Sequence, residues 1–149
     1  MGAVSLGVLL LGILTGCLHK GGGSASTPPS PPPAGVPVPV QIERTVAPDP
    51  PRVGEPFTVT LNVTVQQDLP AVLIMEVLGG LTLLEIQEGF SLEEKGVLKG
   101  VILQPTAGTT QTFRYRARCE RPIPYTLVAQ ATTKGFDPVY TVATVTCSE

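Results

Sequence analysis

Residues 57–65 read Phe-Thr-Val-Thr-Leu-Asn-Val-Thr-Val, apolar at every odd position and polar at every even one. A period of two is the side-chain alternation of a β-strand with one buried and one wet face. Pro48, Pro50, Pro51 and Gly54 punctuate the stretch before it. The same reading predicts strands at Val38–Val46, at Ala71–Leu78 (mostly apolar, turned by Gly79-Gly80) and at Leu81–Gln87. Further strands follow at Val97–Gln104, Thr110–Cys119, Pro124–Thr132 and Val139–Cys147. The pattern is least regular from Leu83 to Leu92, where a short helical turn also fits, and the Glu-rich stretch before Val97 reads as a solvated loop. No long helical period follows residue 17. Seven to eight short strands at roughly 8–12-residue spacing predict an all-β, antiparallel sandwich or barrel over residues 40–149.

The N-terminal segment follows a different pattern. Residues 4–14 are an uncharged apolar run, too short for the roughly 20 residues of a membrane-spanning helix and right for the apolar core of an export signal. The run ends in Leu14-Thr15-Gly16-Cys17, which resembles the lipobox of bacterial lipoproteins. That resemblance implies a lipoprotein signal peptide over 1–16, with Leu14, Thr15 and Gly16 read by the signal peptidase. It also implies a diacylglyceryl thioether on Cys17, which becomes the first residue of the mature chain. The segment departs from the usual signal in having no Lys or Arg before the run. Residues 17–39 then read as a linker: Gly21-Gly22-Gly23-Ser24 as flexible coil, and Pro28 to Pro33 as a semi-rigid polyproline spacer. Fully extended at ~3.1 Å per residue, it reaches about 70 Å.

Composition narrows the chemistry. Ten Lys+Arg against twelve Asp+Glu give a net charge of −2, the wrong sign for a nucleic-acid binder. The single histidine, His19, falls in the linker, so the sandwich cannot supply the two-His set of a blue-copper site or the usual ligands of zinc. A serine nucleophile would lack a histidine base, and Ser91 and Ser148 sit in no Ser-x-x-Lys motif. Glu85, Glu88, Glu93 and Glu94 are carboxylates for a glycosidase or a calcium site. The chain, however, has no Trp to stack a sugar, and the segment lacks an Asp-x-Asp-x-Asp-Gly pattern. The expectation is a non-catalytic protein without metal or cofactor.

Two features remain. Cys119 and Cys147 share the inward parity of their strands and end the first and third of the last three. If those strands form a meander, the two thiols lie at the same end. Export favours oxidation, so they are expected to form a disulfide. Arg114, Arg116 and Arg118 recur every second residue on one outward face, with Arg121 just beyond. They are either paired across strands with Glu or available as an interaction stripe for an acidic partner or lipid headgroups.

From Pro51 onward the chain resembles bacterial surface sandwich modules of the immunoglobulin-like superfamily, the cell-adhesion-related and conserved-repeat domains. The resemblance lies in Val53-Gly54-Glu55-Pro56-Phe57-Thr58-Val59-Thr60-Leu61 and in Gly108-Thr109-Thr110-Gln111-Thr112-Phe113-Arg114-Tyr115. Gln66-Gln67-Asp68 stands where those modules turn on Asn-x-Gly. The resemblance implies an immunoglobulin-like sandwich serving as a spacer or binding surface. Together these readings predict a lipid-anchored bacterial envelope protein, on the outer face of the plasma membrane or on the outer membrane, bound to an unknown envelope protein. The alternatives are an accessory subunit of an integral membrane complex and a carbohydrate- or ligand-binding module.

Overall fold

A computed structural model describes residues 38–149. The signal-like segment, Cys17 with its Leu14-Thr15-Gly16 motif, and the linker through residue 37 lie outside the described residues.

Nine strands form: β1 (Val40–Ala47), β2 (Phe57–Val65), β3 (Ala71–Val77), β4 (Thr82–Glu88), β5 (Ser91–Glu94), β6 (Val97–Leu103), β7 (Thr110–Arg118), β8 (Pro124–Thr132) and β9 (Val139–Thr146). They make two antiparallel sheets, ordered β1-β2-β7-β4 and β5-β6-β3-β8-β9. The fold is the predicted all-β sandwich, with one strand more than the eight read from the pattern. The extra strand is β5, in the stretch expected as a solvated loop. Its four residues are all exposed, so it has no buried parity for a periodicity argument to detect. The irregular stretch from Leu83 contains no helix: β4 runs to Glu88 and the chain turns at Gly89.

Alternation builds the core as expected in β2, where Phe57, Val59, Leu61, Val63 and Val65 are all buried. Each contributes about 1.5–3 kcal/mol of burial. Phe113 and Tyr115 of β7 and Val72 and Ile74 of β3 extend the same core. The ring of Phe113 explains a glycine in mid-strand. A Cβ on Gly100 of β6 would collide with that ring, so the position is held by packing rather than by a turn.

The route of the last three strands differs from the meander expected. β7 pairs with β2 and β4, whereas β8 pairs with β3 and β9, so the chain crosses between sheets after Arg118. Strand direction is unaffected, and Cys119 and Cys147 still meet. They form a buried disulfide that ties the end of one sheet to the end of the other. Closing a separation of 28 residues stabilises by roughly 3–4 kcal/mol in the chain-entropy picture. The segment before β2 seals this end: Val53 N donates to Ser148 O, Ser148 N to Pro51 O and Gly54 N to Cys119 O. At the crossover, the Tyr125 hydroxyl donates to Arg121 O at 3.2 Å and accepts from Arg121 N at 3.1 Å. This is the tyrosine corner that immunoglobulin-type sandwiches place at the start of the equivalent strand.

Candidate functional site

The arginine stripe lies on the outer face of the four-stranded sheet, and each of its strand members has a carboxylate partner. Arg114 meets Glu88 at 3.3 Å, Arg116 meets Glu85 at 3.6 Å and Arg118 meets Glu120 at 2.7 Å. Two of these pairs cross from β7 to β4, and the third joins residues two apart in sequence. Glu85 and Glu88 are three residues apart and would face opposite ways in a regular strand. A register shift between Ile86 and Glu88 turns both toward β7. The glutamates read as a loop group are thus split between β4, facing the arginines, and β5, where Glu93 meets Lys99 of β6 at 3.7 Å. The hydrogen bonds from Arg118, together with one from the Thr82 hydroxyl, hold the Glu120 carboxyl below the usual range. Arg121 stands apart from the ladder, exposed in the tyrosine corner. Thr58, Thr60, Asn62 and Thr64 of β2, with Glu43 of β1 opposite Asn62, complete a polar face.

Between the sheets lies a polar cluster that the sequence reading missed. Arg44 of β1 donates through Nη2 to Glu76 Oε2 at 2.8 Å, and the Tyr115 hydroxyl donates to Glu76 Oε1 at 2.9 Å. All three side chains are buried, and Arg44 Nε and Nη1 have no hydrogen-bond partner among the described residues. Burial pushes the Glu76 carboxyl above its ordinary value, with Arg44 and Tyr115 pulling the other way. Burial, and the charge of Glu76 beside it, push the Tyr115 hydroxyl up as well. The sequence held a signal: in Ala71-Val72-Leu73-Ile74-Met75-Glu76-Val77, Glu76 has the parity of Val72 and Ile74. A carboxylate on the inward parity of a strand needs a buried partner.

The same strand carries the other missed feature. Its outward parity is Ala71, Leu73, Met75 and Val77, apolar where β2 has threonines. The neighbours continue the pattern. Val97, Val77, Val128 and Val142 lie opposite one another across β6, β3, β8 and β9, a row of four valines. Val101 stands opposite Leu73, and Leu103 opposite Ala71. Val77, Val101, Leu103, Tyr140 and Val142 are exposed, from 42% to 76%. Together these side chains form a contiguous exposed apolar patch. This outer face of the five-stranded sheet also carries Lys99, paired with Glu93, and Glu94 opposite Val97, beside Ser91, Gln130 and a few threonines. A separate groove of about 680 Å³ opens between β1 and β9, lined by Val38, Val40, Ile42 and Tyr140 among others. Among the described residues no three His, Cys, Asp or Glu side chains form a metal-binding group.

A disulfide-tied antiparallel sandwich with one polar and one apolar outer face is therefore the class of domain present. No protein-family model and no curated protein matches the sequence. Solved structures match in fold. The full-length major pilin SpaD from Corynebacterium diphtheriae superimposes with a TM-score of 0.55 at 11% identity, covering 69% of this chain and 34% of the pilin. The chain thus spans about a third of that protein. A DUF4466 family protein from Parabacteroides merdae matches at a TM-score of 0.41 and 10% identity, over 71% of this chain and 44% of that one. The human F-spondin reeler domain matches at 0.43 and 13%, over 72% of this chain and 92% of the domain. The pilin likeness supports the sandwich fold.

Proposed function

We propose that this chain is a non-catalytic, lipid-anchored protein of the bacterial cell envelope whose sandwich binds a protein partner through the outer face of its five-stranded sheet. The observation that carries the reading is the contrast between the two outer faces. One is polar and pairs its three strand arginines with glutamates. The other leaves four valines in a row with leucine, methionine and tyrosine beside them. Burying apolar surface is the main favourable term in protein association, at about 25 cal/mol per Å². The Leu14-Thr15-Gly16-Cys17 motif supports the anchor, and residues 18–39 supply the tether. The disulfide fits an oxidising, exported setting.

A photo-crosslinking amino acid placed at Val101, and in a second variant at Thr60, tests the interaction in intact envelopes. A discrete protein adduct from Val101 and none from Thr60 is expected. Adducts from neither position, or equally from both, would overturn the reading. The anchor is read separately: native protein should begin at a diacylglyceryl-modified Cys17 by mass spectrometry, and a Cys17→Ser chain should leave the membrane fraction.

A further inference from the structure

We propose that a cleft between the edge strands β4 and β5 binds the acyl chain of a free fatty acid, with Lys95 holding its carboxylate. β4 ends the four-stranded sheet and β5 the five-stranded one, and only Gly89 and Phe90 separate them in the chain. Leu83 of β4 stands opposite Ala117, and Leu92 of β5 opposite Leu98, both partners 0% exposed. Residues opposite one another across a strand pair face the same side, so both leucines have the parity of the core. Leu92 is nevertheless 57% exposed, and Leu83 is half-buried. Leucines of core parity reach water here because the sandwich is open along this side. The opening is a cleft of about 870 Å³. Leu78 and Leu81, 1% and 6% exposed, also line it, so the cleft reaches down to the core.

Size and chemistry select the ligand. The volume falls in the range of small-molecule sites, about 300–1,000 Å³. Four leucines and no aromatic ring in the lining suit a flexible saturated chain better than a flat ring or a sugar. Lys95 is the one charged side chain in the lining, and among the described residues it has no ion-pair partner. The carboxylates nearby are engaged elsewhere or face outward. Glu93 meets Lys99, Glu94 stands opposite Val97 on the outer face, and Glu120, bonded to Thr82, is held by Arg118. One exposed cation beside an apolar cleft is complementary to a monoanion on an aliphatic chain. A neutral alcohol or an amine of the same length lacks that match.

The test uses the full chain carrying Cys17→Ser, handled without detergent, and titration calorimetry with dodecanoate, decanoate and dodecanol. Dodecanoate should bind one to one. Each methylene withdrawn from water is worth about fourfold in affinity, so decanoate should bind roughly tenfold to twentyfold more weakly. Replacing dodecanoate by dodecanol, or Lys95 by Gln, should each weaken binding about twofold to fivefold, and the two losses should not add. Leu92→Glu, at an exposed position, should remove most of the binding. Lys134→Gln, at an exposed lysine outside the cleft, should leave it unchanged. In native membranes a diazirine-bearing fatty acid should label the unaltered chain within residues 78–96, and excess dodecanoate should suppress the label. No heat and no saturable label overturn the site. Dodecanol bound as tightly as dodecanoate overturns the carboxylate contact with Lys95. Label spread over the outer face of the five-stranded sheet, or over residues 1–37, overturns the cleft in favour of bilayer contact. None of these results bears on the outer-face reading, which the Val101 adduct decides.

Discussion

Arg44–Glu76 and the Arg114–Glu88, Arg116–Glu85 and Arg118–Glu120 ladder use the same two functional groups at similar separations, 2.8 Å against 2.7–3.6 Å. Their surroundings differ. The side chains of the buried pair are 4% and 0% exposed, those of the ladder 38% to 55%. In the ladder, water screens the attraction and solvates either partner when the other is removed, so each pair contributes little. Between the sheets the pair is almost wholly withdrawn from solvent. The stake there is the desolvated charge left behind rather than the attraction itself. Distance alone thus says little about what an ion pair does. Burial separates a pair that the fold depends on from pairs that set the character of a face.

The largest expected effect breaks the buried side of that comparison. Arg44→Met leaves Glu76 with only the Tyr115 hydroxyl and should cost about 3–5 kcal/mol in urea unfolding at neutral pH. The double variant Arg44→Met/Glu76→Leu removes both charges and leaves only the Tyr115 hydroxyl unpaired. It should recover to within about 1–3 kcal/mol of wild type. A double variant no more stable than the single one would mean that the cluster holds the strands by shape and not by charge balance.

A smaller effect sharpens the comparison through pH. Burial raises Glu76 above its ordinary value of 4.5 in the folded chain. Between that value and the folded one, the folded state holds the extra proton, so stability from this group falls as pH rises through the window. Arg44→Met removes the hydrogen bond and charge that lower the value, so the variant should lose stability more steeply with rising pH than wild type. Glu120 has the opposite sign. Its depressed carboxyl favours folding above its unfolded value, and that contribution fades as pH falls. Parallel pH profiles for Arg44→Met and wild type would show that Glu76 does not titrate differently with Arg44 gone.

The two regions also differ in how far the sequence disclosed them. The sheet faces followed from parity wherever one residue opposes one residue. β2, β7 and β8 were predicted nearly residue for residue because their alternation is unbroken. The arginine stripe was legible for the same reason, but its partners were not. The register shifts in β4 break the parity that would have placed Glu85 and Glu88 opposite it. The buried cluster depends on β1, β3 and β7 meeting across two sheets, which no local pattern encodes. The apolar face was half legible. Ala71–Leu78 reads as mostly apolar, yet a strand apolar on both sides fits a fully covered strand as well as a docking face. Only the exposure of Val77, Val101 and Val142 separates the two. The crossover between Cys119 and Pro124 was missed because the tyrosine corner is a single hydroxyl reaching back four residues, with no composition of its own.

The smallest expected effect tests the exposed side. Arg116 lies between Thr58 of β2 and Glu85 of β4. Its 3.6 Å contact with Glu85 leaves both side chains roughly half in water. A double-mutant cycle with Arg116→Ala and Glu85→Ala should give a coupling of about 0.2–1 kcal/mol at low salt. At 1 M salt the screening length shrinks to about 3 Å, shorter than the contact, and the coupling should drop toward zero. Arg116→Glu goes one step further and sets a carboxylate opposite Glu85. Its cost should stay near 1 kcal/mol, because like charges across a strand pair can turn toward solvent, and salt should reduce it too. The buried pair should respond far less, since its side chains are 4% and 0% exposed. Arg116–Glu85 coupling above about 2 kcal/mol, or coupling that high salt leaves unchanged, would place the ladder in the same class as Arg44–Glu76. Burial would then no longer be what separates the two regions.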